Sequence, residues 1–249
     1  MLQTVVVEHI ESFWPRWLGN AAPELHGFFS SADVGASGVF TLPNRWGELY
    51  TTVTNGLGYA APEIDRFKDV AARVTFTPFA KKDSSILRTF AITPWYYKAW
   101  LASGYTQATP PVSEGLQKDR RGIFVGLRDR KLTLGAEFDQ RLEELETTAP
   151  PVARGTLNER TSELLSAFAL VRPAEWFGTH RSRLGFVGRY DRFQIDSDAD
   201  PYNEFLVAGA TWDLNSRITF ALDYQASTPR DNPTGVPVKV WFFHYVATF

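Results

Sequence analysis

Apolar and polar residues alternate along most of this chain, in segments that end at Gly, Pro, Asn or Asp. A period of two is typical of β-strands with one apolar and one polar face. The row of Leu206, Ala208, Ala210, Trp212 and Leu214 is a clear case. The pattern predicts about twelve strands, near residues 2–14, 29–42, 47–58, 66–79, 86–103, 119–128, 131–144, 157–172, 182–195, 202–214, 216–227 and 237–249.

The links between these segments alternate in length. Short links fall near residues 43–46, 81–83, 128–130, 173–179 and 215–216, and longer ones near 15–28, 59–65, 104–118, 145–156, 196–201 and 228–236. Bacterial outer-membrane barrels place short turns at the periplasmic end and longer loops at the outer end. The sequence therefore predicts an all-β fold, a transmembrane antiparallel up-and-down β-barrel with about 12 strands in this chain.

One barrel domain is expected over residues 1–249, because no linker, charge block or repeat divides the chain. If these strands close alone, an even strand count makes segment 2–14 pair antiparallel with segment 237–249. Distant termini with open edges would instead identify the chain as the C-terminal portion of a larger barrel.

Two stretches also permit a helical interpretation. Residues 141–146 and 159–170 contain good helix formers, which would give an α+β protein with two helices. Pro150 and Pro151 end the first run, and residues 166–170 alternate. We therefore expect strands that flank an outer loop.

The C-terminal segment carries an aromatic row. Counting back in steps of two from the end, one face of the predicted strand holds Trp241, Phe243, Tyr245 and Phe249. This row resembles the C-terminal signature strand of bacterial outer-membrane proteins, which the barrel-assembly machinery recognises. A buried edge strand of a soluble sandwich is the alternative interpretation.

Composition narrows the class of protein. Aromatic residues make up 14% of the 249 residues, which suits the aromatic girdles of a barrel. No apolar run approaches the roughly 18 residues of a transmembrane helix. The 26 basic and 28 acidic residues give a net charge of −2 and predict no nucleic-acid partner. Residues 1–8 do not form a signal peptide. The chain is therefore expected to be either a mature or recombinant form or, as we favour, part of a longer reading frame.

The outward apolar rows leave polar rows facing the lumen, because a one-residue slip would place charges in hydrocarbon. The predicted pore-lining residues are Asp33, Asp69, Arg73, Glu137, Asp139, Arg141, Arg183, Arg189, Asp191, Arg217, Asp223 and His244. Both charge signs occur, so the lining can solvate ions, or its residues can pair and plug the lumen. A weak anion preference is expected if the arginines cluster at the constriction.

An enzyme is the rival class, since some outer-membrane phospholipases and proteases are barrels. Among the four histidines, only His180 has a serine, Ser182, two residues away, and that pair falls on the predicted periplasmic side. No catalytic residue, metal site or cofactor is predicted. The run from Asp196 to Asp200 could hold Ca²⁺ only weakly, because it lacks the glycine and distant glutamate of an EF-hand.

Several short motifs together resemble the porin superfamily that includes the phosphate-selective porins O and P. They are residues 30–36, residues 42–44 with Gly47 and Glu48, residues 53–59, residues 73–78 and residues 188–191. The resemblance implies a passive outer-membrane porin that contacts membrane lipid and passes small hydrophilic solutes or anions. Family members are longer, so the chain is expected to lack their N-terminal strands. A homo-oligomer and a closed, ligand-binding or structural barrel stay open.

Overall fold

The computed structural model describes residues 2–56, 58–59, 67–82, 85–101, 116–146, 157–177, 183–198, 201–215, 217–230 and 234–247. Two short helices, α1 (Val7–Glu11) and α2 (Ala22–Leu25), lie near the N-terminus. The strands are β1 (Leu2–Gln3), β2 (Ala32–Asp33), β3 (Gly35–Thr41), β4 (Gly47–Thr54), β5 (Asp69–Phe76), β6 (Ala91–Lys98), β7 (Trp100–Leu101), β8 (Leu116–Arg128), β9 (Leu132–Glu146), β10 (Leu157–Val171), β11 (Leu184–Gln194), β12 (Asn203–Asp213), β13 (Ile218–Pro229) and β14 (Val238–Ala247). Short 3-10 turns occupy Arg16–Leu18, Pro43–Arg45, Ile86–Thr89 and Pro173–Glu175.

Strands β3 to β14 form one twelve-stranded antiparallel sheet in which, apart from the short β7, neighbours along the chain are neighbours in the sheet. The short β7 pairs with β8 beside β6. This confirms the predicted up-and-down arrangement. Among the described residues, β3 pairs only with β4 and β14 pairs only with β13, so the sheet is not closed.

Every predicted segment except 2–14 contains a strand of this sheet. The helical alternative is wrong for both stretches where it was considered. β9 and β10 pair continuously from Leu132 opposite Val171 to Glu146 opposite Leu157. Cross-strand pairing along the whole length therefore overrides the helix propensity of their Glu and Leu residues.

Residues 2–33, which we call the inner segment, lie against one face of the sheet. Arg16 joins its two helices by binding Glu11 and, at 2.7 and 2.9 Å, both carboxylate oxygens of Glu24. The side chains that are at most 2% exposed include Val5, Val6, Val7, Ile10, Trp14, Leu18, Ala21, Ala22 and Phe28. Such complete burial of a short segment requires sheet on several sides of it.

Aromatic contacts show how far the sheet curls around the inner segment. The ring of Trp14 lies 5.3 Å from that of Phe168 on β10. Phe29 lies 5.1 Å from Trp95 on β6, and Trp17 makes an edge contact with a ring on β14 at 5.8 Å. One short segment therefore touches strands from both halves of the sheet.

The prediction that segment 2–14 is a strand paired with segment 237–249 is wrong. Leu2–Gln3 pairs with Ala32–Asp33, and α1 follows. The run of β-branched residues at Val5–Val7 suggested a strand. However, Val7, Ile10 and Trp14 are three and four residues apart, which is helical spacing. The predicted outer loop at 15–28 is also wrong, because those residues belong to the inner segment.

Candidate functional site

The inner face of the sheet is the candidate site, because most of the predicted lumen residues lie on it. On β5 the row Asp69, Ala71, Arg73 and Thr75 is buried, and the residues between them are more exposed. Of the predicted pore-lining residues, those buried in the described fold are Asp33, Asp69, Arg73, Glu137, Asp139, Arg189, Asp191 and Asp223. Whether they line a conducting path stays a prediction.

Cationic side chains of the sheet donate to backbone carbonyls of the inner segment. Arg73 binds the carbonyl of Val5. Arg189 binds the carbonyl of Asn20 at 2.6 Å, and Arg141 binds that of Gly27 at 2.8 Å. Charge-assisted bonds of this kind are short and strong. The predicted pore arginines therefore hold the inner segment in place.

Two donors that sequence reasoning missed complete this set. Gln225 donates from Nε2 to the carbonyl of Leu18 at 2.9 Å, and Arg128 donates to that of Ser12. Short helices and turns leave many carbonyls without a backbone partner, and buried carbonyls need one. Alternation places Gln225 on an inward row, but no sequence signal identified the carbonyl that it binds.

Asp191 is fully buried and lies between Arg189 and His26. Its two carboxylate oxygens accept from Nε and Nη2 of Arg189 at 2.9 and 2.6 Å. His26 Nε2 lies 2.9 Å from the same carboxylate, and its ring stacks on Phe193 at 5.1 Å. His26 falls within the predicted outer loop at 15–28, but the inner segment places it against the inner face of the sheet.

Glu137 and Asp139 point inward from β9, and both are almost fully buried. Glu137 Oε2 and both carboxylate oxygens of Asp139 have no hydrogen-bond partner among the described residues. Asp139 occupies space above Gly122, where an added Cβ would lie 2.1 Å from Asp139 Oδ1. The missing side chain of Gly122 therefore makes room for the carboxylate.

Of the other predicted residues, some have polar partners on the inner face and others are exposed at the strand ends. Asp69 accepts from the Tyr97 hydroxyl at 2.6 Å, and Asp223 lies 2.6 Å from His244 Nε2. Arg183 and Arg217 are exposed at the strand ends near the short links. Each precedes its strand, and the prediction that these two arginines line the pore stays a prediction.

The aromatic row of β14 lies on the outer face. Trp241, Phe243 and Tyr245 are 67, 70 and 59% exposed. Phe249 falls outside the described residues, as do His180 and Ser182 of the enzyme alternative. In the Asp196–Asp200 run, the Asp198 amide donates to Asp196 Oδ1 at 3.1 Å. Within the described part of the chain, no group of three or more His, Cys, Asp or Glu residues is arranged to hold a metal ion.

Comparison of the chain with protein-family models, with curated protein sequences and with solved structures found no match. In the part of the chain that the structure describes, no helix is both long enough and apolar enough to cross a membrane.

Proposed function

We propose that the chain forms the wall of an outer-membrane β-barrel through which small hydrophilic solutes or ions diffuse. An apolar belt on the outer face of the sheet carries this proposal. Its members alternate with the inward residues. They include Val70, Ala72, Val74, Phe76, Ile92, Pro94, Ile123, Val125, Leu134, Ala136, Phe138, Leu165, Ala167, Ala169, Leu184, Phe186, Gly188, Leu206, Ala208, Ala210, Trp212, Phe220, Leu222, Tyr224, Trp241, Phe243 and Tyr245.

Strand β12 shows the height of this belt. Leu206 and Trp212 are 41 and 51% exposed, and the next outward residue beyond Leu206 is Glu204, which binds Arg230 at 2.6 Å. Six steps of about 3.3 Å give roughly 20 Å along the strand, close to the ~25 Å apolar band of outer-membrane barrels. Water-soluble monomers rarely expose a contiguous apolar patch of this extent.

The inner segment restricts the proposed passage. It fills the space beside the inner face, and its backbone carbonyls accept hydrogen bonds from the guanidinium groups of Arg73, Arg141 and Arg189. Solutes therefore pass between this segment and the remaining wall, which favours small ones. A weak anion preference is supported by cations that line the short-link end, among them Arg128 and Arg172.

Outer-membrane lipid is the proposed partner of the belt. The barrel-assembly machinery is the proposed reader of the terminal row of Trp241, Phe243, Tyr245 and Phe249. The exposure of the three described members supports their access to another protein or to lipid. Homo-oligomers would bury part of the same belt.

A closed structural barrel is the second candidate. The observation that favours it is the packing of the inner segment, where Phe28 and Val7 have no exposed surface. A segment packed to this degree blocks the lumen unless a channel stays open beside it.

Planar-bilayer recordings of the refolded chain separate the two candidates. We expect stepwise conductance with a reversal potential slightly on the anion side in a salt gradient. Chains that insert without conducting would support the closed barrel and contradict diffusion. Equal permeability of cations and anions would contradict the anion preference but not the diffusion of solutes.

A matched pair of glutamine variants tests the role of the inner segment. Gln225→Ala removes the bond to the carbonyl of Leu18 and a bond to Asp223 on the same strand, and we expect larger and noisier conductance steps. Gln140→Ala also removes two bonds, to Glu163 and from Arg121, but on the outer face, and it should leave the steps unchanged. Identical recordings from both variants would contradict a restricting role for the inner segment.

A further inference from the structure

A cavity of about 740 Å³, which we call the short-link cavity, opens at the end of the sheet where the short links lie. Three successive connections contribute to its walls: the turn before β6, the link from β8 to β9, and the residues after β10. Its chemistry is set by five cations and one indole, from Arg88, Arg128, Arg130, Lys131, Arg172 and Trp176.

The cations exceed the nearby carboxylates. Arg130 Nη2 lies 3.3 Å from Glu175 Oε1, and Arg172 Nε lies 3.7 Å from Asp213 Oδ2. Asp129 also lines the cavity, but one of its oxygens accepts the backbone N–H of Lys131 at 3.0 Å. Among the described residues, no carboxylate lies within ion-pair distance of the side chains of Arg88 or Lys131. The cavity therefore carries a net positive charge.

The walls are held before any ligand arrives. The backbone N–H of Arg128 donates to the Thr89 hydroxyl at 3.0 Å, and that hydroxyl donates to the carbonyl of Arg128. The guanidinium of Arg128 binds the carbonyl of Ser12 in the inner segment. These bonds connect two links and the inner segment, so the backbone that carries the cations is ordered before binding.

Trp176 adds an apolar surface beside the charges. The side chain is 51% exposed, and Lys131 Nζ lies 5.6 Å from its ring centroid. An indole next to cations offers a stacking face to a flat ligand whose charged groups reach the arginines. The volume is in the range of small-molecule sites, roughly 300–1,000 Å³, and exceeds what a single tetrahedral oxyanion fills.

We propose that the short-link cavity binds polyvalent organic anions that have a flat apolar body. The anionic groups are held by Arg88, Lys131 and Arg172, and the body lies against Trp176. This site stands on its lining and not on the proposed diffusion function, so binding and conductance are measured separately.

Calorimetry on the refolded chain in micelles, at low ionic strength, tests the proposal with three probes. Benzene-1,3,5-tricarboxylate provides charge and a flat body, citrate provides similar charge without the ring, and inorganic phosphate provides a single small anion. We expect the aromatic probe to bind about tenfold more tightly than citrate, and phosphate to bind most weakly. Affinity for all three should fall as salt increases.

Variants assign the two parts of the site. The double variant Arg88→Gln with Lys131→Gln should weaken both carboxylate probes by about tenfold or more. Trp176→Ala should abolish the preference for the aromatic probe and leave citrate binding unchanged. Two controls match these variants. Arg121→Gln removes a cation from the outer face, where Arg121 binds Gln140, and Phe177→Ala removes the aromatic residue next to Trp176, which is 80% exposed. Both controls should leave the binding of all three probes unchanged.

Each contrary result overturns a defined part of the proposal. Equal affinity for citrate and the aromatic probe, with no effect of Trp176→Ala, would refute an apolar subsite. Phosphate binding as tight as that of the tricarboxylates would refute selection of polyvalent organic anions. Unchanged binding after the Arg88 and Lys131 substitutions would place the ligand elsewhere. Loss of binding with normal conductance would leave the diffusion proposal intact.

Discussion

Asp139 lies in space that a side chain at position 122 would otherwise occupy, and this contact leads to a prediction. In a Gly122→Ala variant, the new Cβ would lie 2.1 Å from Asp139 Oδ1 and 2.7 Å from the carbonyl oxygen of Phe138. We expect a loss of about 1–3 kcal/mol in the free energy of unfolding, because overpacking displaces both neighbours. Urea titration of the refolded protein measures it.

Gly38→Ala is the matched control for that variant. Gly38 also lies in a strand of the same sheet, but its nearest neighbour to an added Cβ is Thr51 Oγ1 at 3.5 Å, an ordinary contact. Equal unfolding free energies for the two variants would show that the space above Gly122 is not tightly filled.

A second residue-scale prediction concerns His9, in α1. Burial, followed by the charge of Arg73, lowers the pKa of His9 from its usual value of 6.5 to about 3. Between these values the unfolded chain binds a proton at His9 that the folded chain does not, so stability falls as pH decreases. The slope is about 1.4 kcal/mol per pH unit for one proton.

His9→Gln removes this proton and retains a polar group near the Thr93 hydroxyl, which lies 2.9 Å from His9 Nε2. We expect the variant to lose stability less steeply than the wild type between roughly pH 6 and pH 4. Unfolding titrations at several pH values give both slopes. Parallel slopes would mean that His9 is protonated in the folded protein.

At the scale of elements, the strands were predictable and the inner segment was not. The alternation of apolar and polar residues in β12 or β13 involves only residues that are close in sequence, so it can be recognised from the sequence alone. The inner segment has two helices of five and four residues, too short for a clear helical period. Its position depends on distant partners such as Arg189, 169 residues from Asn20. The inward charges were therefore predictable by register, but their carbonyl partners were not.

The packing of the inner segment predicts a contrast between two of its own residues. Ile10 is 1% exposed and Leu25 is 41% exposed. Ile10→Ala should reduce the free energy of unfolding by about 2–5 kcal/mol through lost burial and a cavity. Leu25→Ala should change it by about 0.5 kcal/mol or less. Similar small losses for both variants would contradict a fixed inner segment.

For the whole molecule, the outer belt predicts a depth-dependent response to charge. Ala208→Arg places a guanidinium in the middle of the belt, and Thr228→Arg places one beside Glu204 beyond its edge. In a bilayer the first costs about 2–4 kcal/mol and the second about 0–1. The measurement is the folded fraction in lipid vesicles as a function of urea. Equal tolerance of both arginines would contradict lipid contact at the belt.

The open sheet has a consequence that follows from direction alone. Because β6 and β7 both pair with β8 and share one position, the sheet has eleven strand positions and the chain reverses ten times between β3 and β14. The two edge strands therefore run the same way. Direct pairing of one edge with the other would therefore be parallel. Copies of the chain inserted with one orientation in the same membrane would present edges with this same direction, and none would provide an antiparallel neighbour. To pair antiparallel with both edges, an odd number of further strands would have to lie between β14 and β3.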